Sequence, residues 1–313
     1  MNGVDTAIEA DIMMTLKTIR DYIRWGASQF AENQVFLGHG LATPLHESAA
    51  IVLHTLHQPY NLDDCYLDAV LTGQERKNVV SLLNRRITER LPVAYITHEA
   101  IFAGLSFYVD ERVLVPRSPI AELIEQRFQP WVDEEQVFNV LDLCTGSGCI
   151  AIACAYAFPE AQVDAVELSD DALDVARMNL QKHQLSDQLN LYKSDLFNEL
   201  PDTKYDVIVS NPPYVAIQEW KELPDEYHNE PEMGFTGGVN GLDLVLRILV
   251  DANGYLTEQG ILIIEVGSSA ETLQQLFPQI PFYWLEFERG GDGVFLLTAE
   301  QVQQYHKLFL TKI

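Results

Sequence analysis

Val140-Leu141-Asp142-Leu143-Cys144-Thr145-Gly146-Ser147-Gly148 reads as a buried strand running into a glycine turn that opens a helix over 149–157. Glycine at 146 and 148 lets the backbone turn tightly and approach a ligand, with helix N–H groups aimed at it. With Ala151 the segment satisfies G-x-G-x-x-A. Glu167 follows about 20 residues on, at the end of the next strand (162–168), where an acid can grip a ribose diol. Strand, helix and acid in register point to a ligand carrying a nucleoside.

Downstream, strands and helices alternate. A helix is expected over 170–183, with Leu173, Ala176 and Leu180 inward, and strands over 190–193, 205–210 and 260–266, the last two separated by a helix at 242–252. Strands at 282–287 and 293–297 flank the turn Arg289-Gly290-Gly291-Asp292. The alternation implies an α/β fold, a mostly parallel sheet covered by helices on both faces with an antiparallel last strand. Upstream, 100–115 reads as a β-hairpin with turn points at Ala103-Gly104 and Asp110-Glu111. The first ninety residues read as helices: one over 12–30, a second entered through Thr43-Pro44, and a third after Thr72-Gly73 with Val79, Val80, Leu83 and Ile87 apolar. Arg76, Lys77, Arg85, Arg86 and Arg90 read as a solvated basic face of that third helix, with a partner site as the alternative. The expected organisation is a helical domain over 1–97, a β-hairpin bridge over 98–115 and the α/β domain over 116–313.

The 313 residues carry 20 basic and 46 acidic side chains, a net charge of −26. The imbalance is uneven: 9 against 14 over 1–115, and 11 against 32 over 116–313. Such a surface repels phosphate backbones and suits a basic partner, although solubility alone also accounts for it. No apolar run approaches the ~20 residues a membrane span needs. The N-terminus has neither a basic start with an apolar run nor a small-residue cleavage site, and four cysteines include no C-x-x-C. A reducing cytoplasm and no membrane partner are therefore expected.

A second motif, Ser210-Asn211-Pro212-Pro213-Tyr214, directly follows the strand at 205–210. Its two prolines remove two backbone donors and fix φ, so the Asn211 side chain and the Pro212 carbonyl form a rigid polar pair beside the flat wall of Tyr214. The carboxyl ends of parallel strands are where open α/β sheets bind ligands, so the pair faces the glycine turn. A planar –NH2 donating to both acceptors would be held in one orientation.

Asp142–Gly148 resembles motif I of class I S-adenosylmethionine-dependent methyltransferases, and Asn211–Tyr214 is the N-P-P-Y signature of enzymes that methylate planar amino groups. With helices in front, the pairing resembles the protein glutamine N5-methyltransferases acting on release factors and ribosomal proteins. Their junction segment is similar to Pro92-Val93-Ala94-Tyr95-Ile96, Phe102-Ala103-Gly104-Leu105 and Val113-Leu114-Val115-Pro116-Arg117. The resemblance covers about residues 75–300. Arg117-Ser118-Pro119-Ile120-Ala121-Glu122-Leu123-Ile124 is similar to the branch that methylates the third protein of the large ribosomal subunit, where release-factor enzymes usually carry an acid-Thr-Glu-like run.

This resemblance implies a Rossmann-like class I fold and methyl transfer from S-adenosyl-L-methionine to the side-chain amide nitrogen of a glutamine. It implies a basic ribosomal protein as partner, free or within a large-subunit assembly intermediate. It puts the methionine part of the cofactor over Thr145, Gly146, Ser147 and Gly148 with Asp142 beneath, the ribose on Glu167, the adenine near Asp195, and Asn211 bordering cofactor and substrate. Asp195 could instead cap a turn. An amide nitrogen is a poor nucleophile, so Asn211 Oδ1 and the Pro212 carbonyl are assigned to accept its hydrogens, with Pro213 and Tyr214 beside it. No metal is called for. His54 and His57 lack an acidic companion, and Cys144, Cys149 and Cys154 read as buried thiols.

The same glutamine chemistry on peptide chain release factors is the first alternative, and three other readings fit parts of the pattern. G-x-G-x-x-A alone suits an NAD-dependent oxidoreductase, against which N-P-P-Y argues. N-P-P-Y also suits a DNA adenine methyltransferase, against which the charge argues. A ribosome-assembly binding module would leave the motif idle. Finally, Glu219, Glu222, Asp225, Glu226, Glu230 and Glu232 form an expected acidic loop after N-P-P-Y, either solvated or steering a basic substrate.

Overall fold

The computed structural model describes residues 6–312. Two compact units divide the chain. One runs as far as Glu99 and takes in Pro224–Asn229; the other comprises Ala100–Leu223 and Glu230–Ile313.

The first unit contains α1 (Thr6–Thr15), α2 (Ile19–Glu32), α3 (Pro44–Thr55), α4 (Gly73–Thr88) and α5 (Val93–Thr97). The helix expected over 12–30 is thus two helices. Thr18 accepts from the Asp21 amide while Asp21 accepts from the Thr18 amide, and this capping box starts α2 afresh. Tyr22, Phe30, Ile51, Val52, Val79, Val80 and Leu83 are fully buried at its centre, each contributing roughly 1.5–3 kcal/mol of transfer free energy.

The basic face expected on α4 is solvated at Lys77 and Arg85 but not at Arg86. Arg86 is fully buried: Nε donates to Glu47 at 2.8 Å, Nη2 to the Phe36 carbonyl at 2.8 Å, and Nη1 to Glu226 at 3.5 Å. Arg90 also donates to Glu226, at 3.4 Å, and Arg76 to the carbonyls of Leu71 and Met13. A buried guanidinium persists only with its charge paired and its N–H groups bonded. One of its two acids arrives with the return segment Pro224–Asn229.

The second unit begins with β1 (Ala100–Phe102) and β2 (Leu105–Phe107), antiparallel around Ala103-Gly104. Both turn residues have positive φ, 47° and 74°, as a two-residue primed turn requires. The ladder ends at Phe107, short of the hairpin expected to 115. There the amides bond side chains instead, Tyr108 to Asn179 at 2.7 Å and Val115 to Glu230 at 2.8 Å. The chain continues through α6 (Ile120–Glu125), β3 (Asn139–Leu143), α7 (Cys149–Ala157), β4 (Gln162–Glu167), α8 (Asp170–His183), β5 (Leu189–Lys193), β6 (Tyr205–Ser210) and α9 (Ile217–Trp220). It closes with α10 (Asp243–Asp251), β7 (Leu256–Glu265), α11 (Ala270–Leu276), β8 (Tyr283–Trp284), β9 (Val294–Thr298) and α12 (Ala299–Phe309).

Seven strands form one sheet in the order β5-β4-β3-β6-β7-β9-β8, parallel from β5 to β7, with β9 antiparallel to both neighbours. Alternate residues bury on opposite faces. Val140, Val207, Ile261 and Ile263 pack with Ile150, Ala153 and Phe158, while Leu141, Leu143, Ile208 and Leu262 pack with Val245, Phe295 and Phe309. Strands covered on both faces read as near-continuous apolar runs, which is why the central three were legible. β8 is shorter than the strand expected over 282–287: past Trp284 the Leu285 amide still bonds the Val294 carbonyl, and by Glu288 and Arg289 the amides bond the Glu122 carboxylate. Among the described residues no helix is long and apolar enough to cross a membrane. β3 connects onward to β4 on one side while β6 lies on its other side, so the carboxyl ends of β3 and β6 form the switch point of the sheet.

Candidate active site

Four loops leave the carboxyl ends of β3, β4, β5 and β6. After β3, Gly146 (φ +56°) and Gly148 (φ +81°) turn the chain into α7, and the position a Gly146 Cβ would take is open. Cys144 is also left-handed, at φ 61°, so the turn holds its geometry at some cost. Asp142 lies beneath, fully buried. Its Oδ2 accepts from the Thr145 hydroxyl and, at 3.1 Å, from the Ala151 amide. Its Oδ1 is buried with no hydrogen-bond partner among the described residues. Burial pushes this carboxyl up to about 7, against the pull of those two hydrogen bonds, with the nearby Glu167 charge adding to the rise.

Glu167 ends β4 and is wired to backbone. Oε2 accepts from the Gly146 amide at 2.9 Å, and Oε1 from the Leu168 and Ser169 amides at 2.9 and 3.0 Å. A carboxylate has about four lone-pair sites, so one remains for a further donor. Asp195 follows β5 but does not cap its turn: Ser194 does, accepting from the Glu199 amide and donating to the Leu196 carbonyl. Asp195 instead pairs with Arg247 of α10 at 2.9 Å, both half-buried.

β6 ends one residue before Asn211. Leu143 pairs with Ser210 across β3 and β6, and the Ser210 hydroxyl donates to the Leu143 carbonyl at 2.8 Å. Asn211 therefore starts beside Cys144 at the entrance to the glycine turn. Its partly exposed side chain bonds to no described residue. Pro212 is buried, and Val215 bridges in parallel to Thr236, with its amide bonded to the Phe235 carbonyl at 2.8 Å. Tyr214 donates to Glu265, the last residue of β7, at 3.0 Å.

Asp142, Thr145, Gly146, Ser147, Gly148, Glu167 and Asn211–Tyr214 thus stand at the ends of adjacent strands. Asp195 is one strand further out, held by a cation that sequence reasoning missed. Glu265 and Ser118 were missed as well. An acid closing an otherwise apolar stretch, Ile261-Leu262-Ile263-Ile264-Glu265, was the available signal.

The expected acidic loop is not uniformly solvated. Glu226 and Glu230 are 2% and 3% exposed. Glu226 pairs with Arg86 and Arg90 in the helical unit, while Glu230 accepts from Arg117 and the Val115 amide, each at 2.8 Å. Glu219 accepts from Ser268 at 3.0 Å. Of the six acids, Glu219, Glu222, Asp225 and Glu232 stay exposed, Glu222 accepting from Gln218 at 3.2 Å. Burial pushes the thiols of Cys144, Cys149 and Cys154 above their ordinary range, so they stay protonated. Among the described residues no group of three His, Cys, Asp or Glu is arranged to hold a metal ion.

Residues 126–223 match the family described as the methyltransferase small domain. The chain is 47% identical over 302 residues to the ribosomal protein uL3 glutamine methyltransferase of Francisella tularensis subsp. tularensis (strain SCHU S4 / Schu 4), covering 96% of each protein. It is 48% identical over 288 residues to the protein of the same description from Bordetella pertussis (strain Tohama I), covering 92% of this chain and 97% of that one. Among solved structures, the hMettl16 catalytic domain in complex with MAT2A 3′UTR hairpin 6 aligns with a TM-score of 0.50 at 19% identity, over 72% of this chain and 80% of the other. That last likeness is one of fold.

Proposed function

The chain belongs to the family of ribosomal protein uL3 glutamine methyltransferases, and from that premise we propose that it transfers a methyl group from S-adenosyl-L-methionine to the side-chain nitrogen of a glutamine in uL3. The observation that carries the reading in this molecule is Asn211: an amide one residue past the last β3–β6 pair, bonded to no described residue, at the mouth of the glycine turn.

The residues around that turn fit the cofactor. Asp142 Oδ1 is a buried acceptor in want of a donor, which a cofactor ammonium would supply directly or through water. The open side of Gly146 admits a close ligand, and Glu167 keeps an acceptor site for a ribose hydroxyl. Asp195, oriented by Arg247, is the acceptor for the adenine amino group. When bound, S-adenosylmethionine supplies an electrophilic sulfonium methyl.

The remaining work belongs to the chain. Asn211 Oδ1 and the Pro212 carbonyl accept the two hydrogens of the glutamine amide, which shifts electron density onto nitrogen and fixes its direction. Pro213 and the Tyr214 ring wall the amide and exclude water. Alignment of this kind contributes up to roughly 7–11 kcal/mol in the best intramolecular cases. Neither a histidine nor a thiol takes part. The substrate is uL3, free or in an assembly intermediate, which makes the cytoplasm the place of action, and the helical unit serves its recognition.

The test is incubation of the purified chain and S-adenosylmethionine with uL3 and, separately, with a release factor, followed by tandem mass spectrometry. One methylated glutamine in uL3 is expected. Methylation confined to the release factor would transfer the chemistry to that substrate, and none in either would end the reading.

A further inference from the structure

Glu265 ends β7 with 6% of its surface exposed, between two donors. The Tyr214 hydroxyl lies 3.0 Å from Oε1 and the Ser118 hydroxyl 2.5 Å from Oε2. The sheet register explains the meeting. Ser210 pairs with Ile264, so Glu265 stands level with Asn211, one step beyond the last paired residues of β6 and β7. Tyr214 is fixed from two further sides. Its carbonyl accepts from the Ser269 hydroxyl at 2.8 Å. Its ring lies against Gly267, where a Cβ would come within 2.4 Å of a ring carbon.

A carboxylate is an expensive way to fill this space, since burying one costs several kcal/mol after relaxation. A tyrosine at the edge of an open loop could instead turn its hydroxyl to water. Two hydroxyls donating to separate oxygens of one side chain match an acceptor-only group, which an ionised carboxylate is; an amide would keep one acceptor and set a donor against the other hydroxyl. The arrangement holds the phenol in one place at the expense of an otherwise avoidable buried charge. Strain and unpaid desolvation of this kind concentrate where geometry matters for chemistry.

We propose that Glu265 is a positioning residue for methyl transfer: it locks the Tyr214 ring against the glutamine amide, while Ser118 steadies the far oxygen of the carboxylate. The inference rests on the reading of Tyr214 as a wall of the amide site.

Burial pushes the Glu265 carboxyl above its ordinary range, opposed by the hydrogen bonds from Ser118 and Tyr214 and by the Arg117 charge, and reinforced by the charge of exposed Asp292. Arg117 keeps its charge throughout. Protonation turns one oxygen into a donor and leaves only a neutral acceptor on the other, so the hold on the Tyr214 hydroxyl weakens as pH falls through the raised value. The rate should therefore show an acid limb belonging to this carboxyl.

The experiment measures kcat, KM and cofactor affinity of the full chain on uL3 across pH, for the parent, Glu265→Gln, Tyr214→Phe, their double variant and Ser118→Ala. Glu265→Gln is expected to lower kcat by roughly ten- to a hundredfold, the range a small misplacement can cost, with cofactor affinity held within about twofold. The double variant should be no more than about twofold slower than Tyr214→Phe, because both changes cut one chain of contacts. Ser118→Ala should move the acid limb to higher pH, and Tyr214→Phe should remove it. Glu265→Gln within about twofold of the parent, or fully multiplicative losses in the double variant, overturns the proposal. If Glu265→Gln does not fold, an acid limb unmoved in Ser118→Ala and intact in Tyr214→Phe overturns it equally. A parent that fails to methylate uL3 is the separate failure of the underlying reading.

Discussion

Glu167 and Gly146, 21 residues apart, are joined by a 2.9 Å hydrogen bond from the glycine amide to the carboxylate. The acid that would grip the ribose therefore also shapes the turn beneath it. Replacing Glu167 with Ala is expected to weaken S-adenosylmethionine binding by about 1–3 kcal/mol, the range for a charge-assisted hydrogen bond. It should also speed amide exchange at Gly146 in the cofactor-free protein, a change that ribose contact alone would not produce. Unchanged affinity by calorimetry would remove Glu167 from the cofactor site.

Asn211→Ala should abolish methyl transfer while leaving cofactor affinity within about twofold. The side chain bonds to no described residue, so its loss leaves no orphaned partner and little effect on stability, within about 0.5 kcal/mol for a site of this kind. Single-turnover assays with uL3, beside thermal unfolding, decide the matter; near-normal turnover would deny the orienting role.

If it meets the cofactor ammonium as proposed, Asp142 should make cofactor binding pH-dependent. In the cofactor-free chain burial holds its carboxyl up at about 7, so below that pH the folded protein carries a proton there. A bound ammonium favours the ionised form, and the proton must leave on binding. Affinity should thus be greatest above about pH 7 and fall toward tenfold per pH unit below it. The free protein behaves oppositely: the folded state binds this proton more tightly than the unfolded chain, so the stability contributed is present at low pH and lost as pH rises toward 7. Asp142→Asn should flatten both trends. Titration calorimetry in two buffers of different ionisation enthalpy would detect the released proton, and its absence would place the ammonium elsewhere.

Acids from one stretch of sequence should behave in opposite ways. Glu226→Ala strands the charge of fully buried Arg86 beside Glu47 alone, a loss of the kind that costs about 3–5 kcal/mol. Exposed Glu222 and Glu232 should be neutral in stability, within about 0.5 kcal/mol. If they meet a basic substrate, Glu222→Gln with Glu232→Gln should weaken the fall of kcat/KM with salt while sparing kcat. Denaturant unfolding and a salt series separate the two classes; a stable Glu226→Ala protein would mean that Glu47 suffices.

These differences trace what was legible in the sequence. The turn Gly146–Gly148 and its flanking strand announce themselves locally, because glycine placement and an unbroken apolar run each have few alternatives. Asn211 stood out because two prolines follow it. The Thr18 break in the first helix was present as Thr-x-x-Asp but masked by apolar spacing that continues across it. Glu226 and Glu230 looked like surface charge because composition counts acids without their partners. Their burial depends on arginines more than a hundred residues away in the chain, 140 for Arg86 and 113 for Arg117. Glu265 was hidden for the same reason: strand register, rather than anything near it in sequence, brings it to Tyr214.

The return of Pro224–Asn229 to the helical unit also sets an order of events on the ribosome. Arg86 is synthesised 140 residues before Glu226. At about 5–20 residues per second, the first helices wait roughly 7–28 s for the acid that completes their charge balance. Nascent chains stalled ahead of residue 224 should leave those helices open to protease, and chains released past residue 229 should not. The amino-terminal unit, though made first, would finish folding only after most of the sheet has been synthesised.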